Sequence, residues 1–93
     1  MNRREQVAEA VELERWRQER KFPGDLSGAL PDAGKLAILV EEVGEVANEL
    51  NERRLGNQTN SVTEQNLFEE LIQVSAVASA WAESLLPQGG QTA

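Results

Sequence analysis

Ninety-three residues suffice for one small domain with a single core and are too few for two. Sixteen acidic against nine basic residues give a formal net charge of −7, which repels phosphodiester backbones, argues against a nucleic-acid-binding surface, and means that a phosphate ligand would need a cation as a bridge. Cysteine and histidine are absent, which excludes disulfides, thiolate zinc sites, cysteine nucleophiles and the imidazole base, so any catalysis runs on carboxylates, hydroxyls, lysine or a metal. Aromatic residues are scarce and tyrosine is missing, so the apolar content is mainly Leu, Val and Ala, which favours helices over strands.

Along the chain, "MNRREQVAEAV" has basic residues with no apolar run behind them, and no stretch of about 18 apolar residues occurs anywhere. Neither a signal peptide nor a membrane span is expected, and a cytoplasmic protein is. The first helix is predicted from Arg4 to Lys21; Val7 and Val11 share one side while Leu13 and Trp16 lie on another, so its amphipathy is poor. "FPGDLSGALPDAG" ends it with prolines and glycines and reads as a loop, with Asp32 placed to cap the next helix.

The second helix, Ala33 to Arg54, spaces Leu36, Leu39, Val40, Val43, Val46, Ala47 and Leu50 by threes and fours into an apolar stripe. Gly56 is placed to stop it, Asn57 to Asn60 form a loop, and Ser61 with Glu64 make a capping box for a third helix that ends near Leu86. There Leu67, Leu71, Val74, Ala78, Trp81 and Leu85 fall in heptad order, and Ile72, Ala76, Val77 and Ala80 make other faces apolar too. A helix apolar nearly all round is buried on several sides. One short chain cannot easily cover it, so the expected fold is an all-α bundle of about three main helices, a single domain over residues 1–86, completed by homo-oligomerisation to a dimer or tetramer. Residues 87–93 are expected to be a disordered tail.

Within "LVEEVGEVANEL", Glu42 and Glu45 stand one turn apart with no basic partner four residues on, so their repulsion needs an outside offset. Glu70 and Gln73 repeat the spacing on the third helix. If the two helices pack antiparallel, the pairs converge into a cluster of oxygens of the kind Mg²⁺ or Mn²⁺ prefers.

With "EEVGE" at Glu41–Glu45 and "ELIQ" at Glu70–Gln73, the chain resembles the MazG-like all-α nucleotide pyrophosphohydrolases, whose signature is E-E-x-x-E followed after a gap by E-x-x-D. The likeness extends from "RKFPGD" through "KLAILVEEVGEVANEL" to "EELIQVSAVASAWAESL". It implies that Glu42, Glu45 and Glu70 ligate Mg²⁺, with Mn²⁺ as a substitute, and that Gln73 stands where the last aspartate belongs, leaving the site one negative charge short. It further implies hydrolysis of a nucleoside triphosphate to monophosphate and pyrophosphate, with Glu41 as the candidate for the base or for a second metal's ligand.

Each of these residues also has an ordinary structural role open to it. Glu42 and Glu45 taken alone read as a solvated helix face, and Glu49, Glu52 and Glu69 as surface charges. Lys21 and Lys35 are candidates for phosphate contact, though basic residues at helix ends also serve the helix dipole. Trp16 and Phe22 are candidates to stack on a base, though aromatics in a small bundle usually pack; Trp81, on the heptad stripe, reads as core. Two classes of function are open: a metal-dependent pyrophosphohydrolase, or a non-catalytic helical oligomer that senses nucleotide or metal or binds a partner. Gln73 keeps the second open.

Overall fold

The structure is a computed structural model that describes residues 1–56 and 60–87, without the side chains of residues 60–63. It is all-α, with four helices among the described residues: α1 (Arg3–Lys21), a single π-helical turn (Asp25–Ala29), α2 (Asp32–Arg54) and α3 (Asn60–Ser84). The expected tail beyond Pro87 and residues 57–59 of the expected loop fall outside the described residues, whereas Asn60, expected in that loop, and Ser61, expected to cap α3, lie within α3. No helix among the described residues is long and apolar enough to cross a membrane.

Helix α1 starts with a capping box that its apolar spacing does not disclose. The Asn2 side chain accepts from the Glu5 amide at 2.8 Å, and the Glu5 carboxylate accepts from the Asn2 amide at 3.0 Å. The helix buries none of its residues, in keeping with its poor amphipathy. At its C-terminus the chain turns through Gly24, whose φ of 76° suits a residue without a Cβ.

The segment expected to be a plain loop closes one π turn instead. Ala29 and Leu30 donate to the carbonyls five residues back, of Gly24 and Asp25. Glu19 fastens this turn to α1 by accepting from the Gly24 amide at 2.6 Å and the Ser27 hydroxyl at 3.3 Å. The turn carries Leu26 into the core, where it meets Val77 and Ala80, with Ile38 and Leu39 packed alongside.

Asp32 is not the cap of α2: Pro31 occupies that position, and Asp32 is the first helical residue. Its carboxylate accepts the Trp81 indole N–H at 2.9 Å, so Trp81 is a half-buried residue joining two helix ends rather than a core filler. Lys35 is buried beside it and donates to the Ser84 hydroxyl at 3.2 Å. At the far end Arg53 pairs with Glu64 at 3.7 Å. These three links show that α2 and α3 are antiparallel. Gly56, with φ 72°, follows α2 in the left-handed conformation expected of a terminating glycine.

α1, the π turn and α2 all pack on α3. α1 runs parallel to α3: Ala10 and Leu13 share a cleft with Gln65 and Phe68, Phe22 near its end shares another with Ala80 and Glu83, and Arg15 forms an ion pair with Glu83. The face of α3 that these elements bury is Ile72, Ala76, Val77 and Ala80. The predicted heptad stripe lies elsewhere: Leu71, Ala78 and Leu85 are exposed, and Leu67, Val74 and Trp81 are half-buried.

Val77 is the largest fully buried side chain. Val77→Ala should lower stability by about 2 kcal/mol, through lost burial and an unfilled space. Thermal unfolding followed by circular dichroism checks this; a midpoint unchanged from wild type would show that the core lies elsewhere.

Candidate metal and nucleotide site

The antiparallel packing of α2 on α3 brings the two acidic pairs to one seam. Glu42, Glu49 and Glu70 each hold one carboxylate oxygen that is buried and has no hydrogen-bond partner. Burial first, then the charges of Glu42, Glu45, Glu49 and Glu69, push the Glu70 carboxyl above its ordinary range. Glu42 is raised likewise, by burial and then by Glu41, Glu45 and Glu14, with Arg17 acting in opposition. Glu42, Glu45 and Glu70 are therefore mutually within electrostatic reach, as their spacing predicts, and Glu49 belongs with them. Glu45 itself is exposed.

A cleft of about 440 Å³ opens beside this seam between α1, the π turn, α2 and α3. Its wall carries Glu41, Glu42 and Gln73 on one side and Arg17, Lys21 and Phe22 on the other. Gln73 thus presents its amide to the same space as Glu42. Lys21 lies over the Phe22 ring at 5.4 Å, so cation and aromatic face the cleft together.

Arg17 is the member that the sequence did not disclose. Its guanidinium grips Glu14 through two bonds, Nε to Oε1 at 2.9 Å and Nη2 to Oε2 at 2.6 Å. The Glu14 bond, and more weakly the charges of Glu14 and Glu42, hold its proton more tightly than usual. The signal for it was available: Arg17 and Lys21 are one helical turn apart on α1, which places two cations on one face.

Two other candidates stand apart from this cleft. Trp16 faces a second, smaller cleft of about 240 Å³ with Arg15 and Glu83, and its ring lies 4.7 Å from the Arg20 guanidinium. Lys35 is spent on Ser84 at the bottom of the bundle.

Fit to a divalent cation can be judged from the donors themselves. Three desolvated, unpartnered carboxylate oxygens on facing helices supply the hard ligands that Mg²⁺ or Mn²⁺ takes, and Gln73 could add a neutral one. As the side chains are placed, no group of three or more acidic residues among the described residues is drawn close enough to hold a metal ion. The seam supplies suitable donors, which would have to swing together around an ion. No family model, no curated protein and no solved structure matches this chain.

Glu42 and Glu70 bind protons more tightly in the folded chain than in the unfolded one. Their ionised forms therefore oppose folding at neutral pH, and the opposition is relieved as pH falls through the raised carboxyl range toward the ordinary 4.5. In metal-free buffer, Glu42→Gln and Glu70→Gln should each raise the melting temperature at pH 7 by about 1–4 °C and flatten its rise on acidification to about pH 5. Calorimetric melts that showed both variants less stable than wild type would contradict the repulsion at the seam.

Proposed function

We propose that this chain is a cytoplasmic helical module, working as a homo-oligomer, that binds a divalent cation at its acidic seam and through it the phosphates of a nucleotide, as a metal- or nucleotide-responsive bundle. One observation carries the reading: the unpartnered carboxylate oxygens of Glu42, Glu49 and Glu70 lie along a seam beside a cleft that holds Arg17, Lys21 and Phe22. Buried polar atoms without partners are rare in folded chains, and a cluster of like-charged ones costs stability unless a ligand compensates it.

Mg²⁺ or Mn²⁺, when bound, neutralises the seam and polarises a phosphoryl oxygen. Glu42, Glu49 and Glu70 would hold it, with Glu45 and Gln73 as further donors. Arg17 supplies a forked cation for phosphate oxygens if Glu14 releases it, Lys21 supplies a point charge, and Phe22 offers an apolar face to a base. A chain of net charge −7 that binds an anion in this way draws its specificity from the few cations that line the cleft.

A second reading is turnover: hydrolysis of a nucleoside triphosphate to monophosphate and pyrophosphate, as the resemblance to the MazG-like enzymes implies. It is supported by Glu41, which lines the same cleft as Glu42 and in this reading would take a proton from a water. Against it stands Gln73, whose neutral amide leaves the ligand set a charge short.

Calorimetric titration with Mn²⁺ and Mg²⁺ should show binding that falls by about tenfold or more in Glu42→Gln and Glu70→Gln, with helical content retained. Gln73→Asp should tighten it. Wild type that binds neither metal, with or without a nucleoside triphosphate, would sink the ligand-binding reading. Pyrophosphate release across a panel of nucleoside triphosphates separates the two readings: its absence from wild type supports the responsive bundle, and release that is lost in Glu41→Gln establishes turnover.

A further inference from the structure

Arg17 stands where the acidic cleft meets a neighbouring groove. It lines the cleft with Lys21, Glu42 and Gln73, and it also lines a groove between α1 and α3 with Glu14, Phe68 and Ile72. Glu14 lines the groove and not the cleft, so the guanidinium is the member of the pair that reaches both spaces. The pair is uneven in a second respect. An ordinary ion pair one helical turn apart leaves both side chains in water. Here the Glu14 side chain is 12% exposed against 55% for Arg17, and the Gln18 amide also donates to it at 3.0 Å. The carboxylate is the fixed partner, and the guanidinium is the one free to swing. The charges of both members reach Glu42, with opposite effect, which puts the pair beside the seam.

We propose that Glu14 is a built-in competitor for the anion seat of Arg17: it holds the guanidinium until a diphosphate or triphosphate group, anchored at the seam, displaces it. The two bonds from Nε and Nη2 to separate carboxylate oxygens are the two-point contact by which a guanidinium also takes a phosphoryl group. A carboxylate three residues away on the same helix offers that contact at high effective concentration, which a freely diffusing anion does not match. A chain of two or three phosphoryl units can match it, because one unit held at the seam through a cation presents the next to Arg17 as a tethered group. The proposal rests on the ligand-binding reading given above for its ligand, and it adds the residue that sets which anions the cleft accepts.

Calorimetric titration of the full chain with inorganic pyrophosphate in the presence of Mg²⁺ tests this. Glu14→Gln, which keeps the shape of the side chain and removes its charge, should tighten binding by about three- to tenfold. Loss of a negative charge near the cleft would favour any anion, so the same substitution is made in an Arg17→Gln background, where it should change affinity by less than about twofold. In the unsubstituted chain the Arg17 Nε–H resonance should shift as pyrophosphate saturates the site, a readout that does not depend on the folding of any variant. Equal tightening in both backgrounds, an affinity that Glu14→Gln leaves unchanged or weakens, or an Arg17 resonance that stays fixed while pyrophosphate binds would each overturn the proposal. Wild type that binds no pyrophosphate while Glu14→Gln binds it supports the competitor and removes the ligand-binding reading. Wild-type binding that is indifferent to the substitution does the reverse, and failure of both proteins to bind overturns both.

Discussion

α3 is the element on which everything else rests. The other three helical pieces touch it, and the face it offers them is built of Ile72, Ala76, Val77 and Ala80. Two of the four are alanines, which bring little apolar volume to the contact. The core is therefore thin. With Val77 as the one large, fully buried side chain among the described residues, apolar burial alone leaves little reserve. The remaining cohesion is polar and peripheral: Trp81 to Asp32, Lys35 to Ser84, Arg15 to Glu83, and the Glu19 clasp on the π turn.

The same packing governs the electrostatics. Antiparallel pairing of α2 with α3 concentrates Glu42, Glu45, Glu49 and Glu70, and the cation that acts on Glu42 is Arg17 of α1. Arg17 is already committed to Glu14. The seam thus stays uncompensated from within, a state that a folded chain tolerates where a ligand completes it and that is otherwise a standing loss.

Much of this was legible in the sequence, and the reasons for the rest are specific. The positions of α2 and α3 come from apolar spacing, and the electrostatic nearness of Glu70 to Glu42 and Glu45 from two E-x-x pairs on antiparallel helices, while no three acidic side chains among the described residues come close enough to hold an ion. Which face of α3 turns inward was not legible, because a helix apolar all round offers periodicity no contrast; heptad spacing points to one set of residues, and α3 buries Ile72, Ala76, Val77 and Ala80 instead. The π turn is hidden by the prolines and glycines that make a segment look irregular. Glu49 reads as a surface charge although it continues the face of Glu42 and Glu45, since sequence spacing does not show how deeply a seam closes. Arg17 escapes because α1 has too little amphipathy to say which of its many charges point inward.

The parallel packing of α1 on α3 has a consequence for how the chain is made. α1 is synthesised before α3, yet none of its residues is fully buried, and its packing partner is mainly α3, as in the Arg15–Glu83 pair. At 5–20 residues per second, about 3–13 s separate synthesis of Lys21 from synthesis of Ser84. A helix of 19 residues with so weak an apolar face is marginal in isolation. The capping box at Asn2 and the bond network of Glu14, Arg17 and Gln18 are local to α1 and can form during that interval. Nascent α1 therefore waits as a fluctuating, highly charged helix whose polarity keeps it dissolved, until the hairpin that receives it has been completed.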